Sequence, residues 1–306
     1  MPAIEALRVR TILDSRGDAT VEVDVRAGGV VGRAAAPSGA SRGTHEVVAW
    51  PKGGVDEGIA IFRKEVAAKL KGADAAAQDE VDGILHAIDG TANFARLGGN
   101  VAVATSLAVA KAAAGAARKP LFDYLGGGRS FPFPLGNVIG GGRHAIGGTD
   151  IQEFLCLAQH PSPSKSVFAN SRVHKAVAAE LQKRLPGEAI GRGDEGAWVA
   201  KLGNEEALAV VADACKAVSK QVAFPIKPAI DMAASEFFRG GKYVYKERSL
   251  TPDRQVDFVA GLVACQKDPI DFSRYLSNCC SYGVRDRIVL RSNDTADAVQ
   301  VLRQND

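Results

Sequence analysis

The sequence predicts an α/β protein in two parts: an N-terminal α+β domain over residues 1–128 and an alternating strand–helix domain over residues 129–306. Three observations carry this reading. Near the start, apolar residues alternate with charged ones, the period of strands buried on one face. Further on, apolar residues recur every three or four positions, the period of amphipathic helices. Beyond the run Gly126-Gly127-Gly128, followed by Pro132 and Pro134, short apolar runs alternate with helical stretches, the rhythm of an α/β domain with a parallel sheet.

Each element follows from its residues. Ile4 to Leu13 mixes apolar and charged residues and stops at Asp14-Ser15-Arg16-Gly17, which reads as a turn. Val21, Val23 and Val25 alternate with Glu22, Asp24 and Arg26, and Gly28-Gly29 turns the chain into Val30 to Ala36. Together these make an antiparallel meander of three strands. Ile59, Phe62, Val66 and Leu70 share one helix face. Val101 to Ala117 is alanine-rich and nearly uncharged, so it reads as a buried helix that stops at Arg118-Lys119-Pro120. In the second part, Ile151 to Ala158 is a short strand, Ser166 to Leu185 a helix, and Gly191 to Val199 a strand with an acidic insertion. Asn204 reads as the cap of a helix with Leu208, Val211, Cys215 and Val218 on its inner face. Phe224 to Met232 is a strand, and Tyr243 to Tyr245 a hairpin arm. Pro252 opens a further helix with Val256, Val259 and Val263 facing inward. A closed eight-stranded barrel needs at least ~200 residues, more than lie between 131 and 306, so a barrel here is incomplete.

Composition narrows the function. The chain has 306 residues, 46% hydrophobic and 24% charged, the balance of a globular protein. No apolar run approaches the ~18–20 residues that span a bilayer, and the first residues are too charged for a signal peptide, so no membrane partner is expected. Five cysteines with no export signal point to free thiols in a reducing, cytoplasmic compartment, and the adjacent Cys279-Cys280 is not a zinc spacing. Lys and Arg number 38 against 35 Asp and Glu, a net charge of +3, too even to predict nucleic-acid binding. The 33 glycines cluster in loops, which favours an enzyme whose backbone approaches a small ligand closely.

Acidic groups sit where strand-like runs meet loops: Asp150-Ile151-Gln152-Glu153, Gly193-Asp194-Glu195-Gly196 and Ile230-Asp231. Carboxylates at the strand ends of a barrel converge on one mouth, whereas any one alone could equally cap a helix or face solvent. Pro37-Ser38-Gly39-Ala40-Ser41-Arg42-Gly43 can bend sharply and present backbone N–H groups and hydroxyls to an anion or metal, or be an ordinary surface loop. Gly140-Gly141-Gly142-Arg143-His144 brings a histidine out of a strand after three glycines, in a structural or a catalytic role.

Taken in order, these strings resemble a known family. DSRGDATVEVDV, PSGAS with Gly43 and Glu46, NVIGGG with His144, TDIQEF, GDEGAW and IDMAASEF are similar to the motifs of enolase (phosphopyruvate hydratase), most of all its archaeal branch, from about Ile4 to about Ala264. The resemblance implies a three-stranded meander plus helices, then a partial enolase-type β/α barrel with an irregular start. It implies dehydration of 2-phosphoglycerate to phosphoenolpyruvate, in glycolysis and gluconeogenesis, with Mg²⁺. It also implies a homodimer formed mainly through the N-terminal domain. Residue by residue, Ser41 matches the loop serine that closes over substrate and binds a second Mg²⁺, and His144 the histidine of a substrate-facing loop. Gln152 and Glu153 match a substrate-contacting strand end, Glu195 the general acid that helps hydroxide leave, and Asp231 the first of three metal carboxylates. The chemistry explains these types: a proton removed next to a carboxylate builds up negative charge that cations must neutralise, and hydroxide needs a proton donor such as a Glu with a raised pKa.

Beyond Ala264 the resemblance stops. A SIEDP-like and a GDD-like strand should follow, each with a further metal carboxylate; Lys267-Asp268-Pro269 keeps an echo of the first. Ile288-Val289-Leu290-Arg291-Ser292-Asn293 faintly resembles the strand of the lysine base and would put Arg291 in its place, where a guanidinium cannot act as a base. Arg42 and Arg143 stand where the family has Thr and a small residue. An enolase-type enzyme and a non-catalytic enolase homologue or fragment acting by association therefore both remain open, with another enolate-forming barrel enzyme a third reading. The retained motifs carry the acid side of the reaction and not the base.

Overall fold

The structure, a computed structural model, describes residues 2–37, 46–128, 131–142, 145 and 147–264. The chain divides into two compact units, Met1–Ser130 and Phe131–Asp306.

The first unit opens with the expected meander. Strands β1 (Ile4–Leu13), β2 (Ala19–Ala27) and β3 (Val30–Ala35) form an antiparallel sheet in the order β1-β2-β3. The turn at Asp14 is closed by its own carboxylate, whose Oδ1 accepts from the N–H groups of Arg16 and Asp18 at 2.8 and 2.9 Å. Alternation decides the faces: Val21, Val23, Val25 and Ala27 are fully buried. Their neighbours Glu22 and Asp24 pair across the other face with Arg10, and Asp24 also with Arg33 at 2.6 Å. Arg33 and Arg10 together hold the Asp24 carboxyl well below the usual carboxylate range.

Helices cover the apolar face. Helix α1 (Gly54–Ile61) passes through a π-helical turn at Phe62–Val66 into α2 (Ala67–Leu70), with Ile59, Phe62, Val66 and Leu70 all buried as their spacing predicts. Helix α3 (Gln78–Asp89) ends in Gly90, whose φ of 69° is left-handed. Helix α4 (Gly99–Ala116) is the alanine-rich run and lies against β2 and β3. A Cβ on Gly32 would come within 2.1 Å of the Ala108 carbonyl oxygen, so only glycine lets β3 and α4 approach so closely. A single turn, α5 (Leu121–Tyr124), follows Pro120.

The second unit is built on a five-stranded sheet. Its members are β4 (Leu135–Gly140), β5 (Glu153–Ala158), β6 (Gly191–Arg192), β7 (Trp198–Val199) and β8 (Ile226–Asp231), in the order β6-β7-β4-β5-β8. Helices α6 (Pro163–Arg184) and α7 (Asn204–Val222) pack on it through Val173, Val177, Leu181, Leu208, Val211, Cys215 and Val218. A second small sheet, β9 (Phe238–Arg239), β10 (Lys242–Val244) and β11 (Ser249–Leu250), precedes α8 (Pro252–Ala264).

Three expectations are corrected here. The sheet is not parallel throughout: β5 runs antiparallel to both β4 and β8. The antiparallel pairing of β4 and β5 means that the chain doubles back between them instead of crossing over. Gly191 to Val199 is not one strand but a hairpin of two two-residue arms around the acidic insertion. Asn204 makes no cap bond to its own helix; its Oδ1 accepts from the N–H groups of Asp150 and Ile151, each at 3.1 Å. In α8, by contrast, Val256 and Val259 are half-buried and pack against the core as expected, with Gln255 and Leu262 buried; the Val263 side chain lies outside the described residues.

Candidate active site

The antiparallel β5 brings the carboxylates together. Because it runs against its neighbours, its first residue, Glu153, lies level with the last residues of β4 and β8: Glu153 pairs with Gly140 on one side and with Asp231 on the other. Sequence reasoning placed both groups at strand ends; Glu153 reaches the common edge because its strand enters there.

The approach to this edge is built by the glycines after β4. Gly141 donates to the Gln152 carbonyl at 2.8 Å and Gly142 to that of Thr149 at 2.9 Å, so the outgoing and returning segments lie against each other. A Cβ on Gly141 would sit 2.0 Å from Thr149 Oγ1 and 2.4 Å from the Ile151 carbonyl oxygen, which is why this position is glycine. Asn204 holds the same segment from below, through Asp150 and Ile151. Asp150 is structural, accepting from the Lys246 N–H at 3.1 Å and from Asn204 Nδ2 at 3.3 Å.

The hairpin between β6 and β7 carries Asp194 and Glu195 to this edge. Glu195 Oε2 accepts from Asn137 Nδ2 at 3.3 Å, next to a β-bulge in β4 between Asn137 and Ile139. Glu195 is exposed and Glu153 half-buried. The Glu153 carboxyl is pushed up to about 8, first by burial and then by a hydrogen bond with Glu195 and the negative charges of Glu195, Asp231 and Asp194. Burial falls on Glu153, the strand residue, whereas Glu195 sits exposed at the hairpin tip. At neutral pH Glu153 therefore holds its proton beside the neighbouring carboxylates.

Gln152 is buried, with its Oε1 lacking a partner among the described residues. It lines a cavity of about 250 Å³ together with Thr149, Asp150, Met232, Glu236, Arg239 and Lys246. Asp231 Oδ1 accepts from the Ala233 N–H at 3.0 Å, in a tight turn where Ala233 itself is left-handed with φ 44°. Asp231 offers the oxygen donor that a divalent cation takes, yet among the described residues no three His, Cys, Asp or Glu side chains group to hold a metal. This donor set alone falls short of a metal cage.

The structure therefore brings Glu153, Glu195 and Asp231 to one edge and Gln152 to the wall of the neighbouring cavity. Ser41, Arg42, Arg143, His144 and Arg291 lie outside the described residues. Sequence reasoning missed Asn137, and it read Asn204 as a cap. An amide reaching across to another element leaves no local pattern, so nothing in the order of residues marked these roles.

Comparison with known proteins gives this arrangement a lineage. Residues 4–125 match the family model "Enolase, N-terminal domain", and residues 129–264 match "Enolase, C-terminal TIM barrel domain". The enolase of Methanothermobacter thermautotrophicus is 47% identical over 268 residues, 85% of this chain and 64% of that protein. The enolase of Thermoplasma acidophilum is 41% identical, covering 94% of this chain and 74% of its own length, and that of Halobacterium salinarum 46%, covering 89% and 70%. The chain thus spans about two thirds of the length of these relatives. Both domains match in the order in which the two units fold, and the matched region contains the edge where Glu153 meets Asp231; the chain belongs to the enolase family.

Proposed function

We propose that this chain binds 2-phosphoglycerate and carries the proton-donor side of its dehydration to phosphoenolpyruvate, the enolase step of glycolysis and gluconeogenesis. The observation that supports this reading is Glu153, kept protonated by burial beside Asp231 and hydrogen-bonded to Glu195. Hydroxide is a poor leaving group; a carboxylic acid at this edge delivers its proton to the departing oxygen, so that water leaves. Glu195 is the donor because it is the exposed member of the pair, and Glu153 is the reservoir that keeps the proton available. Gln152 contacts the substrate, with Ser41 and His144 assigned the same role from their motifs.

The reaction also needs a base to take the proton next to the carboxylate, and cations to neutralise the charge that follows. Mg²⁺ is the ion of the proposed reaction, with Asp231 and Ser41 as its ligands, and when bound it supplies that neutralisation. A single carboxylate holds Mg²⁺ weakly, roughly in the millimolar range. The site of action is the cytoplasm, and the expected assembly is a homodimer. No helix among the described residues is long and apolar enough to cross a membrane.

The lack of a three-ligand metal group among the described residues favours a second reading, a chain that keeps the fold for association without turnover. One experiment separates the two. Purified chain with 2-phosphoglycerate and excess Mg²⁺ is followed by the absorbance of phosphoenolpyruvate, and substrate binding is measured in parallel. We expect binding with little or no turnover, because an acid without a base cannot begin the reaction. A normal rate abolished by Glu195→Gln would show that a base lies in 265–306. No binding at all would leave association as the function.

A further inference from the structure

We propose that His174, on helix α6, is a positioning residue that fixes the hairpin carrying Glu195 against the rest of the site. The sheet itself holds this hairpin weakly. Its arms β6 and β7 are paired only at Gly191–Val199 and Arg192–Trp198, and β7 meets β4 at one position, Trp198 beside Ile139. Ladders this short are not stable by themselves. The loop between the arms closes on itself, Gly193 N–H to the Ala197 carbonyl at 2.9 Å and Gly196 N–H to that of Gly193 at 3.0 Å. That sets the loop's shape and leaves its place in the molecule to other contacts.

Those contacts come from His174. Its Nε2 lies 3.0 Å from the Gly196 carbonyl oxygen, one residue from Glu195. A carbonyl can only accept, so Nε2 carries the hydrogen, and this partner assigns the tautomer. In return Trp198 Nε1–H donates to the His174 carbonyl at 2.8 Å. The two rings stack with centroids 4.8 Å apart and planes at 28°, and the Arg192 guanidinium lies 4.5 Å from the centre of the Trp198 ring. His174 thus makes two hydrogen bonds to this hairpin, one at each end of the short segment 196–198, and stacks on Trp198. The platform behind them is firm, since Val173, Val177 and Leu181 on α6 are fully buried in the core of this unit. A further tie from this hairpin is the Asn137 bond to Glu195 itself.

The catalytic consequence rests on Glu195 being the proton donor of the proposed reaction; the structural consequence does not, so the test reads both. Trp50→Phe leaves Trp198 as the sole tryptophan and is the background for His174→Phe, which keeps a stacking ring but cannot donate to Gly196, and for His174→Gln, which restores a donor. Amide hydrogen exchange across 193–197 and iodide quenching of Trp198 emission are measured on the full chain. The expected result is at least tenfold faster exchange across 193–197 in His174→Phe, with exchange in α6 and β5 unchanged, and more quenching of Trp198, both reversed in His174→Gln. Any turnover the chain shows then falls about tenfold in kcat with KM within twofold. Unchanged exchange at 193–197, or equal loosening of α6, would overturn the assignment. If His174→Phe does not fold, Trp198→Phe, which removes only the Nε1–H bond and part of the ring, is required to show the same local loosening, and its absence counts against the proposal. Loosening without any catalytic effect would leave the positioning intact and remove Glu195 from the donor role.

Discussion

Glu153 shows how one residue acquires its chemistry from where its strand begins. Its carboxyl ordinarily titrates near 4.5, and burial with three negative neighbours moves it to about 8. Between those values the folded chain holds a proton that the unfolded chain has released. The stability linked to Glu153 is therefore complete below about pH 4.5 and is lost as pH rises through about 8. In metal-free buffer, the thermal midpoint of the second unit should fall between pH 5 and pH 9, and Glu153→Gln should flatten that slope. A variant that keeps the full slope would place the titrating group elsewhere. The place of Glu153 at a strand end was legible in TDIQEF, but its elevation was not. The elevation comes first from burial, which no motif along the chain encodes.

At the scale of elements, the site depends on side chains that bridge between them. Asn204, the first residue of α7, spends its amide on the backbone that leads into β5, and its side chain is buried. Asn204→Ala would leave the buried Ile151 N–H and the partly buried Asp150 N–H without their acceptor, at ~1–3 kcal/mol for each fully buried group. We expect a loss of about 2–4 kcal/mol in urea unfolding. Asn204→Asp keeps the acceptor but sets a second carboxylate near Asp150, 3.3 Å from the present Nδ2, so it should recover part of the loss at low pH and less at high pH. Equal losses in both variants would mean that the backbone bonds contribute nothing. The helix start was legible from Gly203-Asn204-Glu205-Glu206, but its cap was misread: the same residue type serves a local cap or a distant backbone, and only the fold says which is in reach.

For the whole molecule, two predictions follow from what stands at the margins of the second unit. Among the described residues, strand β8 is the last strand of its sheet and pairs with β5, and a sheet edge is where another chain can add. Phe168 on α6 and Phe131 are well over half exposed. We expect the isolated chain to self-associate beyond a dimer, with sedimentation coefficients that rise with concentration; a stable, concentration-independent dimer or monomer with a high melting temperature would contradict this. The second concerns metal. Calorimetric titration should find Mg²⁺ binding roughly in the millimolar range, weakened further in Asp231→Ala. Tight binding abolished by that variant would mean that residues 265–306 complete the ligand set.

Local patterning in the sequence by itself determined the elements. Alternation placed Val21, Val23 and Val25 on one buried face, and helical spacing did the same for Ile59, Phe62, Val66 and Leu70, because a strand repeats every two residues and a helix every 3.6. The order of DSRG, GDEG and IDMAASEF carried the lineage. Tertiary structure alone decided the direction of β5, and with it the meeting of Glu153 and Asp231, since a strand's pattern reads the same either way along the sheet. It also decided that Asn204 and His174 hold backbone far from them in sequence. Those contacts depend on distances in space between residues 22 to 54 positions apart, which no periodicity along the chain encodes.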